Sequence, residues 1–229
     1  MRTYLFLILG VATIICSPIF LSAQSPSFNV KGGLNLSNMS FDGPAIGSNS
    51  TSMAPGFHVG AFVELPFSNK LSLETGLLLQ SKGYKSPFTS FFFDEEIMDT
   101  VSFGGDQQTR LLYLDIPILL KSRFDLGGAN LIVAAGPYFG FALSGTRLFE
   151  YTFEGDFYEE EQVIEFGDNG EYNSVDYGLM GTVGIEFSNV FLSASYAYGL
   201  ANIATFEPDV NTIRHQNIMV SLGFRLGSE

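Results

Sequence analysis

The chain has 229 residues, 46% of them hydrophobic and only 15% charged, and it carries a formal net charge of −13. That charge argues against nucleic acid or anionic lipid as a partner, because both are drawn to basic patches. Its single cysteine, Cys16, lies in an apolar N-terminal stretch, so the rest uses no disulfide, thiolate metal site or cysteine nucleophile.

Met1 to Ala23 reads as a secretory signal: Arg2 supplies the positive end, Leu5 to Leu21 is almost wholly apolar, and Leu21-Ser22-Ala23 places small residues before a cut near Gln24. Residues 24–229 then form one domain of barrel size. No segment after the signal reaches the eighteen apolar residues of a spanning helix, and Leu131–Leu143 is broken by Gly136, Pro137 and Gly140.

Eight runs of alternating side chains follow, near 28–40, 56–65, 71–82, 111–124, 131–144, 175–187, 190–199 and 214–226. In the first, Phe28, Val30, Leu34 and Leu36 oppose Asn29, Lys31, Asn35 and Ser37. In the third, Leu71, Leu73, Leu77 and Leu79 oppose Ser72, Glu74, Gly76, Gln80 and Lys82. A period of two over about ten residues is the pattern of a strand between two solvents. The runs exceed the usual five or six residues of soluble strands, and their polar face is rich in Gly and Ser, which suits a narrow interior. Tight turns at 66–70, 125–130 and 188–189 alternate with long connections at 41–55, 83–109, 146–174 and 200–213. This is the rhythm of an all-β, eight-stranded, antiparallel up-and-down transmembrane barrel in the outer membrane, with short periplasmic turns and long acidic extracellular loops.

With both termini periplasmic, parity places Lys31, Glu64, Glu74, Lys121, Arg123, Glu186 and Arg225 on the lumenal face, in the inner half of the barrel. Charges in a low-dielectric interior persist only when paired, so these seven are expected to form one ion-pair cluster plugging the lumen. Pro117 and Pro137 lie nearly opposite each other across the turn at 127–128 and predict a local bulge.

Of the 24 carboxylates, 17 fall in the four long connections, nine of them in 146–174. The aromatic residues interleaved there predict that the fourth and fifth runs, or the fifth and sixth, continue past the membrane as a hairpin, and Phe91-Phe92-Phe93-Asp94-Glu95-Glu96 sets an apolar cluster beside an acidic one in the second connection. Asp156, Glu159, Glu160 and Asp168 are candidate ligands for Ca²⁺ or Mg²⁺, which would offset the repulsion. No other cofactor is implied. The two histidines, His58 and His215, fall on the lumenal parity near the outer ends of their strands, about 10 Å apart by inter-strand spacing, with Ser221 or Ser72 as conceivable partners. Nothing matches a nucleophile elbow, a zinc helix or a phosphate-binding loop, and no catalytic residue is assigned.

Several segments in order resemble the PorT-like outer-membrane β-barrel family of Bacteroidota: Phe28-Asn29-Val30-Lys31-Gly32-Gly33-Leu34-Asn35-Leu36-Ser37, Leu73-Glu74-Thr75-Gly76-Leu77 with Lys82-Gly83-Tyr84, and Tyr113-Leu114-Asp115-Ile116-Pro117-Ile118-Leu119-Leu120-Lys121. Ala135-Gly136-Pro137-Tyr138, Tyr196-Ala197-Tyr198-Gly199-Leu200-Ala201-Asn202-Ile203 and Val220-Ser221-Leu222-Gly223-Phe224-Arg225-Leu226 continue the resemblance. It implies an eight-stranded barrel held in outer-membrane lipid, delivered by the barrel-assembly machinery, and a founding member tied to type IX secretion. It supplies no catalytic residues. The acidic loops depart from it, and so does the position of the last aromatic, Phe224, five residues before the end. The expected role is therefore non-enzymatic: a surface protein offering its acidic loops to a protein partner. A component of a secretion or envelope complex is the alternative, and a hydrolase or acyltransferase using His58 or His215 comes last.

Overall fold

Strict alternation leaves each strand with one apolar and one polar face, and an isolated sheet with exposed edges could bury neither backbone nor side chains in lipid. Closure solves both problems. The computed structural model describes residues 25–43, 51–94, 99–153, 156–167, 170–206 and 211–226; of 92–94 and 99–103 it describes the backbone. The strands are β1 (Ser27–Asp42), β2 (Ala54–Pro66), β3 (Leu71–Asp94), β4 (Asp99–Asp125), β5 (Asn130–Phe153), β6 (Asp156–Val163), β7 (Val175–Phe187), β8 (Val190–Gly199) and β9 (Thr212–Leu226). Pairing runs β4-β3-β2-β1-β9-β8-β7-β5, and β4 also pairs β5, so eight antiparallel strands close into a ring.

The outward faces carry the apolar residues: Leu34 is 74% exposed and Phe28 60%, while Lys31, Glu64 and Gln80 are buried inside. That inversion of the soluble pattern is what a lipid-facing wall requires. At one end lie the tight turns. Gly127 and Gly128 adopt positive φ in one of them, and Ser188 does so in another.

The second and third long connections differ from expectation. β3 and β4 do not stop near 82 and 111; they pair out to Asp94 and Asp99. β5 runs on to Phe153, paired with β4 as far as Gly105–Tyr151 and with β6 from Thr146–Val163 to Phe153–Asp156. The distal parts of β3, β4, β5 and β6 thus form a four-stranded blade beyond the ring. Long β-branched and aromatic stretches there (Phe88, Phe149, Tyr151, Phe157, Tyr158) favour strand over loop. The continuation expected of the fourth and fifth runs is present in β4 and β5, whereas the hairpin within 146–174 is completed by the added strand β6 rather than by the sixth run, which begins at Val175; residues 164–167 and 170–174 are irregular chain.

The expected bulge at the prolines does not form. Pro117 faces Tyr138, pairing between β4 and β5 lapses until Leu120–Ala135, and it resumes in the same register. On the other side, pairing of β4 with β3 lapses between Thr75–Ile118 and Leu78–Asp115, also without a shift. The missing proline N–H opens the ladder but adds no residue. The register shift of β4 on β5 lies instead at Leu112/Tyr113, where Leu143 is the extra residue.

Candidate functional site

From the tight-turn end upward, the ring's interior is filled by layers of alternating character. The lowest is ionic. Lys31 Nζ lies 3.4 Å from Glu74, and Lys121 Nζ lies 2.9 Å from Glu64 and 2.7 Å from Glu74. Arg123 pairs with Glu64 and sits 3.2 Å from Glu186, which also pairs with Arg225. The structure therefore brings together all seven residues singled out by parity, from β1, β2, β3, β4, β7 and β9. Ser72 donates to Glu64 at 2.6 Å, and Asn29 donates to Glu64 at 3.3 Å. Lys31 also lies over the Phe62 ring at 4.2 Å. Four cations and three carboxylates are nearly balanced, so the layer tolerates burial.

Above it lies an apolar layer of Phe62, Leu78, Leu119, Ala134, Met180, Ala197 and Met219, with the Tyr138 ring. A second polar layer follows, which the sequence reading did not assemble. Lys82 Nζ is 3.0 Å from Asp115 and 2.8 Å from Asp176, and both carboxylates are fully buried. Its ammonium is flanked by the Tyr113 and Tyr138 rings at 4.5 and 4.7 Å. Gln80 donates to Asp115, Tyr138 donates to Asp176 at 3.1 Å, and His215 Nδ1 meets Asp176 at 3.1 Å. Asn217 donates to Gln80 at 2.7 Å, and Asn35 donates to Asn217 at 3.1 Å. Two glycines make the room: a Cβ on Gly140 would stand 2.4 Å from Asp115, and one on Gly199 3.3 Å from Asp176. The lumenal parity of Lys82 and Asp115 was visible in the sequence. Asp176 stands at the start of its run, where the alternation has barely begun and gives no depth.

The top layer is an apolar cap. Met39, Tyr84, Leu111, Tyr113 and Ile213 from the wall pack with Ile164, Tyr172, Ala201, Ile203 and Ala204 from the third and fourth long connections. These connections tie to each other and to the wall: Asn173 N donates to Ile203 O at 2.9 Å, Ile203 N to Ile213 O at 3.0 Å, and Ile164 N to Gly145 O at 2.9 Å. Burial, with Tyr84 alongside, pushes the Tyr172 phenol up, so it stays neutral beside Arg147. Arg147 in turn pairs with Glu171 at 2.6 Å.

The histidines are not neighbours. His58 is registered with Gly33 of β1 and His215 with Met39, six residues further along and roughly 20 Å away at strand rise. His58 Nε2 meets Ser221 Oγ at 2.7 Å, yet both residues are buried and His58 Nδ1 has no partner among the described residues. A nucleophile–base pair needs a third group to orient the base and a path for substrate. This pair shows neither.

Three of the four candidate cation ligands are described, and these three do not share one face. Asp168 lies outside the described residues, as do residues 1–24 and 227–229. Alternation along β6 sends Asp156 and Glu160 to one face and Glu159 to the other. Among the described residues no three His, Cys, Asp or Glu side chains are placed to hold a metal.

Several solved structures are similar to the chain. Ail, the attachment invasion locus protein of Yersinia pestis, shares 13% identity over 89% of this chain and all of its own, with a TM-score of 0.39. Neisserial surface protein A shares 13% over 88% of this chain and 99% of its own, with a TM-score of 0.44. OprG of Pseudomonas aeruginosa shares 10% over 90% and 98%, also at 0.44. No curated protein matches. A family model for the outer membrane protein beta-barrel domain matches residues 22–205, from the segment before β1 to beyond β8. With its lipid-facing apolar wall and closed eight-stranded ring, the chain belongs to this outer membrane protein beta-barrel family, and its place is the outer membrane.

Proposed function

We propose that the protein is a non-conducting anchor that holds the β3–β6 blade at the cell surface for a protein partner. The observation that carries this is the filled lumen: two ionic layers enclose an apolar one along the ring, and the apolar cap covers its outer end. A barrel of eight strands has an interior that side chains can fill, and here they do. The lower cluster then acts as a plug and the upper as a buried lock, neither as a pathway. What remains for function is outside, where β6 is exposed along its length and has β5 on one edge. The role is non-enzymatic in this reading, because the buried His58–Ser221 contact lacks an orienting group. Membership among the PorT-like proteins of Bacteroidota rests on the motifs quoted above and is part of the same proposal.

Arg147 and Gln162 are cross-strand partners, so Asn-Gly can replace residues 148–161 as a two-residue hairpin turn. The full and shortened chains are expressed to equal levels in the outer membrane, and intact cells are treated with a cross-linker. A cross-linked species present with the full chain and absent with the shortened one supports the proposal. Identical cross-linking patterns sink it. A changed profile of secreted proteins with unchanged cross-links favours the envelope-complex role instead.

A further inference from the structure

We infer that a cleft at the root of the blade binds a polyhydroxylated ligand of the size of one sugar unit. The cleft has a volume of about 230 Å³ and lies between Ser52, before β2, and Lys85, Asp106, Gln107, Gln108 and Glu150 of the blade. Two backbone hydrogen bonds fix its wall, Ser52 N to Lys85 O at 2.8 Å and Lys85 N to Ser52 O at 3.0 Å. Lys85 pairs with Gln108, and Asp106 pairs with both Pro87 and Glu150, so these side chains share one face of the sheet.

Gln108 is the second, independent sign of a ligand. It is 9% exposed and lines the cleft; its Oε1 accepts from Arg110 at 3.0 Å, but its Nε2 has no partner among the described residues. A buried amide donor without an acceptor is costly, and a ligand oxygen in the cleft would satisfy it. The rest of the lining decides which ligand. Asp106 and Glu150 repel an anion such as phosphate. Lys85 repels a metal ion, and an apolar molecule would find Pro87 alone to pack on. Carboxylates, carboxamides and serine hydroxyls together offer both donors and acceptors, which is what a ring of hydroxyls requires, since each hydroxyl both donates and accepts. A pyranose displaces roughly six waters at about 30 Å³ each, so one fits.

Position supports the same class. On the outward face of the wall, the apolar band ends at Leu112 of β4 and at Leu143 of β5, which is 54% exposed. Gln108 lies four residues beyond Leu112, about 13 Å along the strand. At that level two sources of sugar are within reach, the headgroup of a glycolipid in the outer leaflet and a soluble glycan. This inference goes beyond the blade's role as a partner surface, and point variants in the cleft leave β6 intact.

The test uses the full chain folded in detergent, with methyl glucoside and N-acetylglucosamine as probes by saturation-transfer NMR. In parallel, the chain in phospholipid nanodiscs is titrated with an uncharged glycolipid, monogalactosyl diacylglycerol. Gln108→Met removes the amide, and the double variant Asp106→Asn, Glu150→Gln, at exposed positions, stands in should the first not fold. Saturable monosaccharide binding weakened at least about tenfold in the variants supports a soluble source. Saturable binding in the glycolipid arm alone, weakened similarly, supports the headgroup. Absence of saturable binding in both arms, or equal binding by wild type and both variants, overturns the inference. Cross-linking at the blade that persists alongside such a failure leaves the surface-anchor proposal standing.

Discussion

Replacing Lys82 by Met should cost far more stability than the same change at Lys31, although both remove one buried ammonium. Lys82 is held 2.8 Å from Asp176 and 3.0 Å from Asp115, and among the described residues no other Lys or Arg pairs with either carboxylate. At an effective dielectric near 20, those two contacts represent roughly 11 kcal/mol of gross attraction. Several kcal/mol of that is returned because the ammonium no longer has to be desolvated, leaving a net loss of about 3–5 kcal/mol. Lys31 makes one ion pair, 3.4 Å from Glu74, and Glu74 keeps Lys121 at 2.7 Å. Its gross term is roughly 5 kcal/mol, which desolvation almost cancels, for a net loss of about 1 kcal/mol. The two variants and the wild type, folded into lipid vesicles, are unfolded in urea and followed by far-UV circular dichroism, since the chain has no Trp. With equal slopes, the midpoints give the difference directly. Equal losses at the two positions, or a loss below about 1 kcal/mol for Lys82→Met, would refute the claim that redundancy of partners sets the cost.

The other expectations concern the lumen and the blade. Planar-bilayer recordings of the wild type should show no steady single-channel steps, and stable openings would mean that the layers do not fill the ring. Gly140→Ala should destabilise by about 1–3 kcal/mol, because its Cβ would stand 2.4 Å from Asp115 and 3.4 Å from Lys82 Nζ. Gly181→Ala, with nothing within 4 Å of the added carbon, should change stability by less than about 0.5 kcal/mol in the same urea assay. Proteolysis of 156–163 on intact cells should proceed at the same rate with and without a chelator, because β6 is ordered by pairing with β5 and by Tyr151 stacked on Tyr158 at 5.3 Å. Faster cleavage with the chelator would restore a cation to the blade.

Much of this protein can be read from the chain because a strand's side-chain period is two and therefore local. Alternation at Phe28–Ser37 or Leu71–Lys82 is enough to identify a strand and its polar face, and eight such runs joined by alternating short and long connections are enough to expect closure and the direction of each strand. The lower ionic residues were legible for the same reason: Glu64, Glu74, Lys121 and Arg123 lie close to tight turns that fix their depth. Depth is harder to read far from a turn, and there the tertiary structure decided. Lys82, Asp115, Asp176 and His215 come from four strands, and they meet through the registers of the closed ring and the space left by Gly140 and Gly199. The same registers set His58 and His215 roughly 20 Å apart along the strands, against the expected separation of about 10 Å. The end of a strand is equally non-local: residues 83–94 and 99–110 carry few alternating apolar residues, and they are strands because each finds the other as a partner. On β6, composition suggested a chelating cluster, but pairing with β5 imposed alternation and turned Glu159 away from Glu160. Side-chain periodicity is a property of one segment; register, depth and pairing belong to the closed ring as a whole.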